Sequence, residues 1–263
     1  MSEWEKLKIV IWYEFLKHLR RKRLYWILGV AIIAELAVLI GLPALGEGYP
    51  DDIMRMAALL SFGASFVSLG AVFFAGDAIA GEFEGKTGYI LFPNPVRRST
   101  LVVGKYLACY AAVILLTLFV HVIICISLLV IYGRIPIETA ESFGLWVLYT
   151  GSVLSVTFFF SSVSKGAMGA TVITLVFIMI ISGVIETVLM IAGQPIWFLL
   201  SAAGDTIVTV YVGWDTLWGG MFQGMPAGML EAPDINLCIF AMAIYLVVGF
   251  LASIWITKRR QLA

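Results

Sequence analysis

Six stretches of about 20 residues, each nearly free of charge, run at about 25–45, 56–76, 106–132, 143–163, 167–192 and 237–257. A helix rises 1.5 Å per residue, so about 20 apolar residues match the ~30 Å hydrocarbon thickness of a bilayer. In lipid every backbone N–H and C=O must be satisfied within the protein, and for isolated apolar stretches of this length that leaves the helix. Composition agrees: 61% of the residues are hydrophobic and only 13% charged, with mean hydropathy +1.00, against roughly 45–50% apolar content in a soluble domain. The expectation is an all-α integral membrane protein with six transmembrane helices. Cys109, Cys125 and Cys238 fall in or beside apolar segments and read as small core residues without a disulfide framework. The sequence Gly-Leu-Pro-Ala at 41–44 is a poor cleavage site, so no cleavable signal peptide is expected.

Over residues 2–23, Glu3, Lys6, Glu14, Lys17 and Arg21 recur at helical spacing, while Trp4, Leu7, Ile11, Trp12, Phe15 and Leu19 gather on the other side. This predicts an amphipathic interfacial helix ahead of the first span, with His18, Arg20, Arg21, Lys22 and Arg23 facing anionic headgroups; packing on a partner is the alternative. Glu35 sits near the middle of the first span, where a lone carboxylate faces the protein interior or a hydrated path. The second span is rich in small residues, among them Ser61, Ser65, Ser68 and Gly70, which let helix backbones approach closely in lipid and predict a central helix. Glu186 stands near the far end of the fifth span. Glu35, Ser61, Ser65, Ser68 and Glu186 are therefore candidates for lining a translocation path, with plain packing as the competing reading. His121 and Cys125, one turn apart, lack the further ligands a metal would need, so buried packing is favoured. Region 193–236 mixes apolar stretches with Gly and Asp and carries Trp197, Trp214 and Trp218. It predicts short interfacial or re-entrant helices between spans five and six.

Charge sets the orientation. Placing residues 2–23, residues 77–105, the turn at 164–166 and the C-terminus on one side collects there all but Arg55 and Arg134 of the 17 Lys and Arg. Positive residues stay cytoplasmic, so a multi-pass protein of the cell membrane with both termini cytoplasmic is expected. The formal net charge is zero, and nothing calls for a nucleic-acid partner.

Residues 77–105 are the one polar island between long apolar segments, too polar for lipid and hence in water or against another protein. Ala80 to Thr87 reads AGEFEGKT, one residue off the phosphate-loop spacing, with Gly at 81 where the pattern demands it at 80. It also follows a membrane span rather than a buried strand, which argues against nucleotide binding by this chain. No nucleophile with a base, no HExxH and no GxSxG occurs, so an enzyme is a minority reading. A secondary transporter would carry more ionisable groups at midplane.

With a basic amphipathic helix, six spans, and Glu82, Glu84, Gly85, Thr87, Pro95, Arg98, Gly104 and Lys105 in the island, the chain resembles the permease subunits of ABC-type exporters of the second export class (ABC-2). The resemblance covers essentially all of 1–263 as one permease domain. It is nearest the branch of the nitrous-oxide-reductase maturation permease and the multidrug and sodium export permeases. It implies a chain that binds no cofactor and pairs with itself or a similar permease in membrane lipid. It also implies docking on two copies of a separate ABC-type ATPase subunit, which would hold ATP and magnesium. The coupling region would be Glu82, Phe83, Glu84, Thr87, Tyr89, Leu91, Phe92, Pro95, Arg97 and Arg98. The apolar groups among these, in a cytoplasmic loop, suit burial in a partner. A non-transporting membrane anchor or sensor that recruits a cytoplasmic ATPase is the alternative. Cargo is not fixed by fold.

Overall fold

Long apolar helices separated by short polar connections must pack side by side, and the structure, a computed structural model, follows that rule. It describes residues 2–20, 22–46, 48–85, 97–214 and 233–260, apart from the side chains of Arg23 and of 62–68. In chain order the elements are α1 (Glu3–Arg20), α2 (Lys22–Ala44), α3 (Ile53–Ala75), the short α4 (Ala80–Glu84), α5 (Arg98–Tyr132) and α6 (Glu138–Val163). A composite helix follows, made of α7 (Ala167–Leu175), a π-helical turn (Val176–Ile181) and α8 (Ser182–Ile191). Then come α9 (Leu200–Thr209) and α10 (Ile235–Arg259). No strand occurs among the described residues. Five segments are long and apolar enough to cross a membrane: Leu24–Ala44, Arg98–Tyr132, Glu138–Val163, Ala167–Ile191 and Ile235–Arg259. The chain is therefore a multi-pass membrane protein. α3, 23 residues long and rich in Leu, Phe and Ala, stands where the second of the six stretches was expected.

The central helix is α6 rather than the small-residue-rich α3. Trp146, Leu154 and Phe158 of α6 are fully buried, as are Thr150, Ser152, Ser155, Thr157, Ser161 and Ser162. Its hydroxyls lower its hydropathy, yet several are satisfied locally: Thr157 donates to the Val153 carbonyl at 2.7 Å and Ser152 to that of Leu148 at 3.0 Å. Small side chains then let α10 come close. Ser152 also reaches the Met242 carbonyl of α10 at 2.7 Å, and a Cβ built on Gly249 would lie 3.0 Å from the Ser155 backbone.

Two boundaries differ from expectation. α5 begins at Arg98, about two turns before the apolar stretch at 106, because its first turns carry Arg98 and Lys105 and read as loop. With 35 residues it is roughly 52 Å long, more than a ~30 Å hydrocarbon core needs. It ends at Gly133, whose φ of 71° lets its N–H close on the Leu129 carbonyl. The connection 193–236 contains α9, packed through Leu200, Ala202, Ala203, Thr206, Ile207 and Val208. Trp214, expected at the interface, is instead buried with Met190, Ile196, Leu199 and Ala202; Trp218 lies outside the described residues.

α1 also departs from the simple amphipathic picture. Leu7 and Val10 lie against Gly104 of α5, where any Cβ would meet Val10, while Trp4, Trp12 and Tyr13 point outward. His18 does not face headgroups. It is buried, edge-on to Phe74 with ring centroids 5.3 Å apart, and its Nε2 lies 3.3 Å from the Cys109 sulfur.

The close α6–α10 approach yields a prediction. Gly249→Val is expected to lower the thermal unfolding midpoint of the detergent-solubilised protein, at a cost on the order of 1–3 kcal/mol. Gly169→Ala, whose added Cβ meets nothing within 4 Å, should leave the midpoint unchanged or slightly raised. Melting curves of the two variants beside the parent check this.

Candidate functional site

The segment that joins α3 to α5 has to hold α4, five residues that are far too short to be a stable helix alone. Its hold comes from other helices. The first N–H groups of any helix lack partners inside it, and here Ser161 of α6 supplies one. Its hydroxyl oxygen accepts from the Ile79 and Ala80 N–H groups at 3.2 and 3.0 Å, and its proton goes to the Gly76 carbonyl at 2.8 Å. One side chain thus ties the end of α3 to the start of α4.

The second hold is ionic. Lys105, only 6% exposed, points its ammonium between Glu14 of α1 at 2.5 Å and Glu82 of α4 at 2.8 Å. A buried ammonium is tolerated only where opposite charge and good geometry offset its lost hydration, and two carboxylates provide that. Burial alone would raise the Glu14 pKa, but the Lys105 charge, with help from Lys17, outweighs it and holds the carboxyl below the usual carboxylate range.

Two further contacts close the junction. Glu84 accepts from the Ala167 N–H at 2.7 Å, so a carboxylate caps the positive start of α7. Arg260, just past α10, donates to the Ser162 and Ser164 carbonyls at 2.9 and 2.8 Å and stacks its guanidinium 4.1 Å over the Phe83 ring. Its own carbonyl accepts from Arg98 at 2.7 Å. Beside the junction an open groove of about 670 Å³ runs between α2, α3 and α7, walled by Trp26, Phe73 and Val172 with Asp77 and Glu84 at one end.

Of the coupling residues read from the sequence, Glu82, Phe83, Glu84 and Arg98 are therefore brought together and bonded within the chain, and Arg97 is exposed. Thr87, Tyr89, Leu91, Phe92 and Pro95 lie outside the described residues. The path candidates are not gathered in one place. Glu35 of α2 is 1% exposed with neither carboxyl oxygen hydrogen-bonded, Ser61 of α3 is buried likewise, and Glu186 belongs to α8. The side chains of Ser65 and Ser68 are outside the description. Sequence reasoning missed Glu14, Ser161 and Arg260 as parts of the junction. Glu14 had a signal, since it shares a helical stripe with Leu7, Val10 and His18; Ser161 and Arg260 had none.

Residues 10–182, more than half of the chain, match the family model described as ABC-2 family transporter protein. That stretch includes most of α1, the junction segment and α6. No curated protein matches the chain.

Removing the shared cation should be severe. Lys105→Met is expected to destabilise the protein by about 3–5 kcal/mol, because it strands two carboxylates in a partly buried place; Lys105→Arg, which keeps the charge, should lose less. Thermal unfolding of both variants in the same detergent tests the order. The Glu14 contribution has a definite pH sign. Since its folded-state pKa is lowered, the stabilisation is complete above the usual carboxylate range and is lost as pH falls through the lowered value. Glu14→Gln should flatten that acid limb in a pH series of melting curves.

Proposed function

The chain belongs to the ABC-2 family of transporter proteins, and on that premise we propose that it is the permease of an ATP-driven exporter, docked on a separate ATP-binding cassette subunit. The family is a membrane-transport component rather than a catalyst, so ATP and magnesium belong to the partner. The observation that carries the reading is the junction around α4. A loop that merely linked two spans would not need capping from α6, an ion pair to α1 and α5, a carboxylate on α7 and an arginine from the end of α10. A loop that receives force would need all of these, because a push on it must move the bundle and not just the loop.

Glu82, Phe83 and Glu84 fix the segment from within. The docking surface then falls to Arg97 and to Thr87, Tyr89, Leu91, Phe92 and Pro95. α3 counts as a sixth span, both termini lie in the cytoplasm of a cell whose plasma membrane holds the protein, and α1 rests in the interface. Trp4, Trp12 and Tyr13, exposed beside Lys8 and Lys17, suit the headgroup boundary. Two permease copies with two cassette subunits form the working unit, with Glu35, Ser61 and Glu186 as polar points along the moving bundle.

The test is co-purification with the co-expressed cassette subunit. Phe92→Asp combined with Arg97→Glu is expected to weaken its retention by about 2 kcal/mol or more, roughly thirtyfold, while the permease still folds. Full retention by the double variant would remove the docking claim. ATP-dependent export by the reconstituted pair separates a transporter from a non-transporting anchor.

A further inference from the structure

The outward face of α10 carries a pattern that the coupling junction does not use. Ile244, Val248, Leu251, Trp255 and Arg259 follow one another every third or fourth residue, so they form one stripe along the helix, and all of them are exposed. Beside the stripe an apolar groove of about 350 Å³ runs between α6, the π-helical turn and α10. Phe159 and Phe160 of α6, Phe177 of the π-helical turn, and Ile244, Val248 and Ala252 of α10 wall it. The Phe160 and Phe177 rings, with centroids 5.3 Å apart, bridge the first two of these elements. The stripe ends in charge. The Arg259 guanidinium lies 4.1 Å over the Trp255 ring, a cation–π contact at the end of an apolar face, where interfacial aromatics sit.

Arg259 is not alone there. Lys258 precedes it, and Arg260 after it donates to the Ser162 and Ser164 carbonyls at 2.9 and 2.8 Å, which brings the turn carrying Lys165 against the end of α10. Lys165, Lys258 and Arg259 are exposed, and among the described residues none of them is paired with a carboxylate. Glu84, the acid at that turn, accepts from the Ala167 N–H, and its single charge leaves the positive ones in excess. Depth agrees with charge. Ile244 and Arg259 are about 15 residues apart, roughly 22 Å of helix, which is the depth of one leaflet with its headgroups, half of a bilayer about 40–45 Å thick. A soluble anion would meet the cations and leave the groove idle. A neutral lipid would fill the groove and leave the cations idle.

We propose that α6, the π-helical turn and α10 form a seat for one anionic phospholipid, with an acyl chain along the groove and the phosphate against Arg259, Lys258 and Lys165. The π-helical turn shifts the register of its helix, and Phe177 within it supplies the third wall. A lipid seated there ties the end of α10 to the turn after α6, the same two elements that Arg260 joins while it stacks on Phe83 of α4. The lipid composition of that leaflet therefore sets how firmly this end of the bundle is held. In the orientation argued above it is the cytoplasmic leaflet. Only that sidedness rests on the transport reading; the seat does not.

The test uses the full-length protein purified in detergent without any ATPase, so failure of the docking reading leaves it untouched. Native mass spectrometry counts bound phosphatidylglycerol and phosphatidylcholine of equal chain length in the parent, Arg259→Gln, Lys165→Gln, Val248→Trp and Arg134→Gln. The expected result is one phosphatidylglycerol held roughly tenfold more tightly than phosphatidylcholine. Arg259→Gln and Lys165→Gln should each cut that preference about fivefold, the weight of one cation against an anionic lipid surface. Val248→Trp, at an exposed position where the larger ring fills the groove, should weaken both lipids. Arg134→Gln, which removes an exposed charge between α5 and α6, should change neither. Trp255→Leu, which removes the ring under Arg259, replaces any variant that fails to fold. Melting midpoints with each lipid added should follow the same order. Equal retention of the two lipids by the parent, or a preference unchanged in both cation variants, would overturn the proposal. So would an equal melting shift with glycerol phosphate alone, or a dimer that Val248→Trp splits into monomers, which would assign the groove to a second copy of the chain.

Discussion

One buried ammonium organises the architecture at the α4 end of the bundle. Lys105 is contributed by α5, yet its partners come from 91 residues earlier, Glu14 on α1, and from 23 residues earlier, Glu82 on α4. Taking such a charge out of water costs several kcal/mol unless opposite charge and hydrogen bonds replace the hydration. The two carboxylates do so while keeping some exposure of their own, 18% and 17%, so the trio is not wholly dehydrated. The consequence is mutual dependence. No one of the three elements can leave without exposing an unpaired charge to a poorly hydrated place, and α1, α4 and α5 therefore behave as one body.

The other contacts of α4 extend that body. Ser161 and Ser162 bring in α6, the most heavily packed helix; Glu84 brings in α7; Arg260 brings in the end of α10. A five-residue helix that would melt alone is thus held by α1, α5, α6, α7 and the residue that follows α10. The hold combines charge and backbone carbonyls with burial of Ile79 and Ala80 and packing of Phe83.

How much of this could be read from the sequence depends on how local each cause is. Spans are local: about 20 uncharged residues either fit the bilayer or do not, and the apolar stretches appear as helices close to where they were expected. The start of α5 is not, because Arg98 and Lys105 look like loop residues until their partners on α10, α1 and α4 are known. Lys105 was legible as part of a family pattern but not as the cation that two distant carboxylates share. His18 was grouped with the basic run after it, although it shares a helical stripe with Leu7 and Glu14 and is buried against Phe74. A stripe that includes a half-buried Glu misleads hydropathy, since the pairing that permits the burial lies elsewhere in the chain. Glu82, Phe83 and Glu84 were singled out as docking residues, but composition alone could not tell that they would turn inward. Glu186 was noticed for its depth; the Ser182–Ser201 contact that joins α8 to α9 was not, since it exists only once the two helices pack.

The two ends of the bundle are held by different kinds of contact. Near α4 the charges are of unlike sign, so attraction persists wherever the carboxylates are ionised and the junction stays rigid through ordinary pH. Near α9 the contacts are neutral hydrogen bonds, Ser182 donating to Ser201 Oγ at 2.8 Å and accepting its N–H at 3.3 Å. α6 runs between the two, with Ser161 and Ser162 at the first and Tyr149 and Ser142 at the second, the last donating to the Ile207 carbonyl of α9 at 3.0 Å. α6 thus joins ionic contacts at one end to neutral hydrogen bonds at the other, so only the α4 end depends on ionised carboxylates.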